Sequence, residues 1–496
     1  MTSDDAWPSP VPEPLVVRSL AGGAWVGGDA MMTRENPARP AQVVSRIAVA
    51  DPATVGRAVE AADAAGREWA ATPVADRADA LRRAVAEFSG LGDRVPLLET
   101  REVGKPLADS VSELSSVQFL AHVMIERAAA VLVSRSADVD GSKLRISRRP
   151  FGVVAGIVPW NAPLNLSIAK VVPALLGGNG VVIKPSPLAA AATTALLEVL
   201  ATALPDGLLG IVQGGAATGA ALVEHRLVRR VSFTGGSAAG RAVLRSCAER
   251  LVPATMELGG NDAAVVLDDV RLDEALLRRA VTATFRTSGQ VCMAAKRWYV
   301  HRDVAAEFVE GFREVADRLL VPGNPMLETT TIGPVATAAA QCRVNDLVAD
   351  AEARGAQVVH LGAELGPDVV VDGGYFVRPA LVTGAADEWP LVAEEQFGPA
   401  VTVSVYDTVD EAVARANGTE YGLASSVWSG DEERAFALAE RLEAGYTFVN
   451  THNVDGLAPD APFGGVKGSG FGREFGSAGL DEYSSTHVTH FPVHAR

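Results

Sequence analysis

The sequence predicts an α/β protein with more than one domain. Between residues 153 and 240, strand-like apolar runs alternate with helical patterns, which is typical of a parallel, Rossmann-like sheet. A second series of strands and helices begins near residue 259 and runs to about 450. A chain of 496 residues also exceeds what one compact core usually holds.

The first 130 residues are predicted to be mainly helical. Residues 1–14 hold four prolines and three acids, and they predict a mobile tail. Glycines at both ends of residues 22–28 indicate a short hairpin. Apolar residues at helical spacing predict helices at 54–71, 75–88, 95–108 and 110–130. This helical run is expected to pack against a sheet formed later in the chain.

A half-exposed strand and the two alternating regions follow. Residues 143–149 alternate apolar and polar side chains, as a strand with one solvated face does. The first region has predicted strands at 153–158, 181–184, 210–213 and 228–233, and helices at 164–176 and 189–203. The second has a strand at 263–267 and helices near 272–287, 303–320 and 337–354. From residue 451 the chain is glycine-rich, and it ends in a strand-like run at 488–493.

Composition excludes several classes of function. With 60 acidic and 44 basic residues, the net charge of −16 argues against a nucleic-acid-binding surface. No uninterrupted apolar run reaches about 18 residues and the first residues include acids, so neither a membrane span nor a signal peptide is expected. The sequence has no CxxC pair and its histidines are scattered, so no metal site is predicted. Three cysteines fit a reducing, cytoplasmic setting, and Cys247 and Cys342 are interpreted as packing cysteines.

Three separate stretches carry groups whose chemistry belongs together. Cys292 lies in a small, polar stretch in which Gly289 lets the backbone approach a substrate. Glu257 precedes a glycine pair, and Asn161 lies in a proline-bracketed turn. A thiol, an amide and a carboxylate can form a thioester, hold its oxyanion and hydrolyse it. Each residue alone would more often be structural, but the three together favour an active site.

With these motifs in place, the chain resembles the NAD(P)-dependent aldehyde dehydrogenase superfamily over roughly residues 15 to 490. The motifs that carry the resemblance are Pro159-Trp160-Asn161, Glu257-Leu258-Gly259-Gly260, Gly289-Gln290-Val291-Cys292, Glu394-Glu395-Gln396-Phe397-Gly398-Pro399 and Pro462-Phe463-Gly464-Gly465. Their common order and spacing make the resemblance far more specific than any single motif would.

The resemblance implies an aldehyde dehydrogenase-like α/β fold with three parts. Residues 1–130 and 149–258 would form a Rossmann-type cofactor domain, and residues 259–465 an α/β catalytic domain. Residues 131–148 and 466–496 would form a small oligomerisation segment with a hairpin. A homodimer or homotetramer is therefore expected.

The resemblance also implies a mechanism for oxidising an aldehyde to its acid. The Cys292 thiolate adds to the aldehyde carbon, and the Asn161 side chain with the Cys292 backbone N–H holds the oxyanion. Hydride transfer leaves a thioester, which water activated by Glu257 releases as a carboxylate. Lys170 and Glu474 match members of a proton relay. Relatives that pass the acyl group to coenzyme A lack a base at the Glu257 position, so hydrolysis is favoured here.

A site for NAD or NADP is implied as well. The glycines after Phe233 separate a strand from a helix, where backbone can approach a pyrophosphate near the helix N-terminus. Glu395 matches the glutamate that holds the nicotinamide ribose. The other cofactor-binding residues implied are Ile157, Pro159, Trp160, Lys184, Ser186, Pro187, Gly235, Gly236, Ser237, Gly240, Leu258 and Phe397.

One of these positions departs from a common pattern. Three residues after the lysine at 184, NAD-preferring relatives often carry a glutamate that binds the ribose hydroxyls and repels a 2′-phosphate. This chain has Pro187 there. The sequence therefore permits NADP without excluding NAD.

Two features of the sequence give different indications about the substrate. Many relatives have an aromatic residue after the Pro-Trp-Asn motif, but this chain has Ala162, and Ala169 lies further along the next helix. Small residues here favour a bulky or aromatic aldehyde, with Val291 also implied at the substrate site. Arg286, however, is where relatives of the succinic-semialdehyde type bind the substrate carboxylate.

The alternatives stay open at this point. Semialdehyde relatives also have an arginine just before the relay lysine, where this chain has Ala169, so Arg286 could instead pair with a local acid. A carboxylate-bearing semialdehyde is the alternative substrate. A non-catalytic structural or binding member of the fold is the alternative function, although intact Cys292, Glu257 and Asn161 argue against it.

Overall fold

The computed structural model describes residues 14–139, 141–365 and 373–492, so the predicted tail lies almost wholly outside the described residues. The strands are β1 Leu15–Val17, β2 Ser19–Ala21, β3 Ala24–Val26, β4 Met31–Asn36, β5 Arg39–Ala48, β6 Arg135–Val139, β7 Ser142–Pro150, β8 Val153–Ile157, β9 Gly180–Lys184, β10 Leu209–Ile211, β11 Val228–Thr234, β12 Ala254–Glu257, β13 Asp262–Val266, β14 Ala295–His301, β15 Gln357–His360, β16 Ala380–Thr383, β17 Ala400–Tyr406, β18 Ala424–Trp428, β19 Tyr446–Val449, β20 Gly470–Phe471 and β21 Ser484–Phe491. The α-helices are α1 Pro52–Ala71, α2 Val74–Ala86, α3 Arg94–Val103, α4 Leu107–Leu132, α5 Pro163–Leu176, α6 Ala190–Ala203, α7 Ala216–Glu224, α8 Ser237–Glu249, α9 Glu274–Phe285, α10 Arg302–Leu319, α11 Ala338–Ala353, α12 Pro390–Ala393, α13 Val409–Asn417, α14 Glu432–Ala439 and α15 Gly476–Asp481.

The first large sheet has eight strands in the order β20-β12-β11-β8-β9-β10-β2-β3. Its five central strands, from β12 to β10, run parallel, and antiparallel strands lie at both edges. Because helices cover both faces, the central strand β9 is apolar and buried along its whole length. Helix α1 packs against this strand, where a side chain at Gly180 would collide with the Ala62 carbonyl. The predicted packing of the helical run on a later sheet is confirmed.

The second large sheet has seven strands in the order β15-β16-β17-β14-β13-β18-β19. Six strands are parallel, and β15 is antiparallel at one edge. Its core is aromatic: Trp298 packs against Trp428 and Phe308 with ring centroids 5.3 and 5.2 Å apart. The predicted second α/β region is therefore confirmed. Its parallel strands β14, β17, β18 and β19 begin at the site described below, where parallel strands of the first sheet end.

Two three-stranded sheets complete the fold. One has the order β1-β5-β4, and the other has the order β21-β7-β6. The second contains the predicted strand at 143–149, and Val139, Ile146, Val488 and Phe491 are exposed on it. The division into domains and the role of this sheet in oligomerisation stay predictions. Strand β20, from the segment assigned to oligomerisation, lies at the edge of the eight-stranded sheet.

Several element boundaries differ from the predicted ones for local reasons. The helix predicted at 95–108 ends at Val103, because Gly104 turns left-handed with φ 85°. The last strand begins at Ser484, earlier than predicted, because it pairs along the whole of β7; Val493 lies outside the described residues. Across the described residues, no helix has the length and apolarity needed to cross a membrane.

Candidate active site

The backbone before Cys292 is left-handed at three successive residues. Thr287, Ser288 and Gly289 have φ values of 53°, 56° and 71°. This conformation costs roughly 1 kcal/mol or more for each non-glycine residue, so fixed partners must hold it. The Thr287 N–H donates to Asp109 at 3.0 Å, and the Ser288 hydroxyl donates to the Gly333 carbonyl at 2.9 Å.

The glycine of this loop is required by the protein's own packing. A side chain at Gly289 would collide with the Gly398 carbonyl, in the motif that also contains Glu395. A side chain at Gly260 would likewise collide with the Cys292 carbonyl. The two motifs and the cysteine loop therefore interlock through backbone contacts that only glycine permits.

Asn161 is joined directly to the cysteine loop. It lies just before α5, which begins at Pro163, and its amide nitrogen donates to the Gln290 carbonyl at 3.0 Å. The Gln290 side chain in turn accepts from the Ala336 N–H at 2.9 Å. Within the described part of the chain, nothing else accepts from the Asn161 amide, and Asn161 and Cys292 line the same cavity. The second amide hydrogen is therefore available to an oxygen bound beside the thiol.

Glu257 ends β12 as a buried carboxylate. Neither of its oxygens has a partner of good hydrogen-bonding geometry among the described residues. Burial raises the pKa of Glu257 well above its usual value, and the nearby Glu474 carboxylate raises it further. Gly464 leaves room for this side chain, since a Cβ there would lie 2.7 Å from its Oε1. An orphaned buried carboxylate of this kind is suited to accept a proton from water.

Lys170 and Glu474 form a buried ion pair. The Lys170 Nζ also donates to the hydroxyls of Ser232, at 3.1 Å, and Thr234, at 2.7 Å. The Ser232 hydroxyl accepts a further hydrogen bond from Tyr483 at 3.1 Å. The lysine charge lies close enough to Glu257 to oppose the rise in that residue's pKa. The two predicted relay residues are thus brought together beside the predicted base.

The thiol of Cys292 is half-buried and close to carboxylates. Burial raises its pKa above the usual value, and the charges of Glu395, Asp262 and Glu257 raise it further. The resting thiol is therefore protonated at neutral pH. Of the other cysteines, Cys247 is buried, as a packing cysteine should be, but Cys342 is exposed, so that interpretation was wrong for Cys342.

A cavity of about 350 Å³ opens at the thiol. The predicted cofactor residues that line it are Ile157, Pro159, Trp160, Lys184, Ser186, Pro187, Gly235, Gly236, Leu258, Glu395 and Phe397. Trp160 and Phe397 meet edge to face across it, with centroids 5.5 Å apart. Ser237 and Gly240 do not line it: Ser237 begins α8, and Gly240 makes room for Leu258.

The cavity has the features that a dinucleotide needs. Helix α8 points its N-terminus at the cavity wall at Gly236, and no side chain caps that end of the helix. Its free N–H groups and positive dipole end suit a pyrophosphate. Nothing lies within 4 Å of where a Gly236 side chain would be, so a ligand can approach the backbone there. No group of metal-ligating side chains occurs in the described part of the chain.

Two ionisable side chains line this cavity, those of Glu395 and Lys184. Glu395 is fixed by the Gly260 N–H, which donates to it at 3.1 Å, and burial raises its pKa to about 7. Lys184 is buried without a carboxylate partner among the described residues, and burial lowers its pKa to about 8. Its Nζ donates to the Pro185 carbonyl at 3.0 Å. Pro187 begins a short turn that the Ser186 hydroxyl caps.

An apolar cluster packs against Cys292, and most of its members were not predicted from the sequence. Its buried members are Ala169, Met293, Leu423, Ala424, Phe448, Phe463 and Phe475, and its partly exposed members are Leu120, Val291, Cys292, Tyr446 and Leu457. Tyr446 stacks obliquely on Phe448, with centroids 4.6 Å apart. Tyr446 and Phe448 lie on β19, the edge strand of the seven-stranded sheet. No motif near them in the sequence indicated contact with the cysteine. Ala162 is partly exposed at the start of α5 and belongs to neither the cluster nor the cavity lining.

Arg286 lies apart from the cavity at Cys292. Its guanidinium forms an ion pair with Asp455, lies 3.6 Å from Asp109 and donates to the Ser112 hydroxyl at 2.9 Å. With Asp109 it lines a separate cavity of about 310 Å³ that does not include Cys292. The local acids that the sequence analysis left as an alternative are therefore present.

Comparison with known proteins places this site in a family. The profile of the aldehyde dehydrogenase family matches residues 25–489. A betaine aldehyde dehydrogenase of Rhizobium etli is 37% identical over 450 residues, covering 89% of this chain and 90% of the relative. The betaine aldehyde dehydrogenase of Staphylococcus aureus, solved with NAD⁺, is 28% identical with a TM-score of 0.90, covering 97% and 95% of the two chains. An Escherichia coli NADP-dependent enzyme is 31% identical with the same TM-score of 0.90, covering 97% and 98%.

The chain therefore belongs to the aldehyde dehydrogenase family. It is an NAD(P)-dependent enzyme that oxidises aldehydes, and the resemblance, fold and cofactor class expected from the sequence are confirmed.

Proposed function

We propose that Cys292 is the nucleophile of a two-stage oxidation of an apolar aldehyde to its carboxylic acid. The observation that carries this proposal is that the thiol lies between two different regions of the site. Cys292 lines the cavity suited to a dinucleotide and also packs against the apolar cluster. A carbonyl held on the cluster would therefore lie between the nucleophile and the hydride acceptor.

In the first stage the thiol would lose its proton to water, and the sulfur would add to the carbonyl carbon. A dinucleotide held in this cavity would supply the hydride acceptor. The oxyanion that forms on addition would accept from the free Asn161 amide hydrogen and the Cys292 N–H, donors worth roughly 3–4 kcal/mol each in comparable sites. Loss of hydride from the same carbon leaves the acyl group on the sulfur as a thioester.

In the second stage Glu257 would accept a proton from the attacking water. Water then adds to the thioester carbonyl, and the acid leaves as the sulfur regains its electron pair. The raised pKa of Glu257 makes it a stronger base than an exposed glutamate. Lys170 and Glu474, paired beside it, would receive the proton and return Glu257 to its ionised form.

The substrate is proposed to carry a bulky, neutral apolar or aromatic group. Leu120, Val291, Tyr446 and Leu457 are partly exposed members of the cluster and offer such a group an apolar surface. Ala169, a small residue of the same cluster, leaves room for it. A carboxylate-bearing semialdehyde is less well supported, because Arg286 is already engaged by two carboxylates.

A second candidate is an aldehyde that carries a quaternary ammonium group. The partly exposed aromatic ring of Tyr446 can attract a cation. Relatives named betaine aldehyde dehydrogenases support this candidate.

A matched substrate set distinguishes these candidates. Betaine aldehyde and 3,3-dimethylbutanal have the same shape and differ in the charge at one atom, while phenylacetaldehyde and succinic semialdehyde add an aromatic ring and a carboxylate. We expect kcat/KM from NAD(P)H production to be highest for phenylacetaldehyde and higher for the neutral isostere than for betaine aldehyde. A preference for betaine aldehyde of about tenfold or more would support the cationic substrate instead. A preference for succinic semialdehyde would contradict both.

The sheet of β6, β7 and β21 is proposed to join copies of this chain into a homodimer or homotetramer. Its exposed apolar side chains, Val139, Ile146, Val488 and Phe491, suit burial against another sheet. Light scattering of Ile146→Asp and Val488→Asp should show a smaller particle than the unchanged protein. An unchanged mass would contradict this role.

A further inference from the structure

A buried cluster of three ionisable side chains lies beside the start of helix α5. Lys105 pairs with Glu99 at 2.6 Å and with Glu113, and all three side chains are almost fully buried. Lys105 lies in the turn between α3 and α4, and the two carboxylates come from those two helices. The proposed mechanism uses none of these residues.

Glu113 reaches from α4 to the first turn of α5. Its Oε1 accepts from the backbone N–H groups of Leu164, at 2.9 Å, and Asn165, at 3.0 Å. The residue before the helix, Ala162, has no side-chain oxygen to cap it, and Pro163 has no N–H. Glu113 therefore satisfies the free donors of this helix from outside and places a negative charge at its positive end.

The pKa values of Glu99 and Lys105 reflect their contacts with Glu113. Burial raises the pKa of Glu99 well above its usual value, and the Glu113 charge raises it further. Burial alone would lower the pKa of Lys105, but the two carboxylates outweigh this effect and raise it. Glu113 is the member of the cluster that contacts α5.

We propose that Glu113 is a positioning residue for the oxidation, which holds the start of α5 so that the Asn161 amide faces the substrate oxygen beside Cys292. Asn161 lies two residues before Pro163, where α5 begins. One hydrogen of its amide is donated to the Gln290 carbonyl. The direction of the second hydrogen therefore depends on the position of the backbone before and after Asn161. Glu113 fixes that chain on the helix side. The inference rests on the oxyanion role proposed for Asn161.

The test is a double-mutant cycle between Glu113→Gln and Asn161→Ala. Glutamine keeps the size and an acceptor oxygen but removes the charge that holds α5. We expect Glu113→Gln to slow the burst of NAD(P)H roughly 10- to 100-fold, because small displacements of a catalytic group have effects of this size. Dinucleotide affinity, followed by quenching of tryptophan fluorescence, should change less than about twofold, since α8 and β9 are not involved. In the Asn161→Ala background, Glu113→Gln should cause less than about a twofold further loss.

A matched control lies on the same helix. Glu126 is an exposed carboxylate of α4 that pairs with Arg82, so Glu126→Gln makes the same chemical change away from α5. It should leave the burst and the melting temperature nearly unchanged. The melting temperature of Glu113→Gln is recorded as well, to confirm that this variant is folded in the assay.

Three outcomes contradict the inference in different ways. Equal fold losses from Glu113→Gln in both backgrounds would mean that Glu113 acts independently of Asn161. An undiminished burst in Glu113→Gln would mean that it has no role in positioning. If Asn161→Ala itself keeps wild-type activity, the proposed oxyanion role fails first and this inference fails with it.

Discussion

The cavity proposed for the dinucleotide and the apolar cluster meet at Cys292 but are built in different ways. The cavity is lined by residues at strand ends and turns, such as Gly235 after β11 and Lys184 at the end of β9. Backbone and short motifs form most of its wall. The cluster is made of side chains from distant segments, including Leu120 on α4 and Phe448 on β19.

This difference explains why one region was recognised from sequence and the other was not. A pyrophosphate contacts backbone N–H groups, so glycines and helix starts must be kept at fixed positions in the chain. An apolar group contacts whatever side chains the packing brings together, and similar surfaces can be made in many ways. The cofactor region is thus expected to tolerate few changes, and the substrate region to determine specificity.

Loss of the thiol should have the largest effect, because it should abolish turnover while leaving dinucleotide binding intact. Cys292→Ala should lower kcat/KM by at least roughly 10⁴-fold, because the nucleophile is removed. Dinucleotide affinity, measured by fluorescence titration, should stay nearly unchanged, because the cavity walls remain. Turnover within tenfold of wild type would remove Cys292 from the mechanism.

Glu257→Gln should slow deacylation without slowing the formation of the thioester. A fast burst of NAD(P)H is expected, followed by a steady-state rate lowered roughly 10²- to 10³-fold, because only deacylation needs the base. In the unchanged enzyme the steady-state rate should increase as the pH rises through the raised pKa of Glu257, and the variant should lose this dependence. Stopped-flow measurement of burst and steady state across pH tests both parts. A burst lost together with the steady state would indicate that Glu257 activates the thiol.

Pro187→Glu should change the cofactor region alone. A carboxylate there would repel a 2′-phosphate and accept from ribose hydroxyls, so the ratio of kcat/KM for NADP to that for NAD should fall about tenfold or more. The ranking of aldehydes should stay the same. An unmoved cofactor ratio would show that Lys184 and Pro187 are not at the ribose.

Arg286→Leu should lower kcat/KM only weakly, and equally for charged and neutral aldehydes. Its ion pairs with Asp109 and Asp455 join α4 to two loops, so their loss should lower kcat/KM by about two- to fivefold for acidic and neutral aldehydes alike. The melting temperature should fall by a few degrees with them. Asp455→Asn, which removes one partner, serves as the matched control and should behave similarly. A loss at least tenfold larger for succinic semialdehyde would restore the carboxylate-binding hypothesis.

The smallest expected effect is the pH dependence of NADP binding. Burial lowers the pKa of Lys184 to about 8, so its positive charge is present below that pH and is lost as the pH rises through it. The KM for NADP should therefore increase by about two- to fivefold between pH 7 and pH 9, and the KM for NAD should change less. Lys184→Arg should remove the dependence, because arginine stays charged. Parallel changes in the two KM values would place Lys184 away from the 2′ position.

The sequence by itself determined the two parallel sheets, the cofactor class and the short motifs around Cys292, Glu257 and Asn161. These features depend on local order: alternation of strand and helix sets the sheets, and glycines mark where backbone must approach closely. Local patterns of this kind are readable because each is complete within a few residues.

Only the tertiary structure decided which side chains from distant segments share an environment. In the folded chain Arg286 pairs with Asp109 and Asp455, and Tyr446 and Phe448 belong to the cluster that packs against the thiol. The tertiary structure also joined Glu113 to a helix that begins 50 residues later, at Pro163. Burial and pairing depend on the packing of the whole chain, so a charged residue has the same appearance in the sequence whether it binds substrate, pairs with an acid or caps a helix.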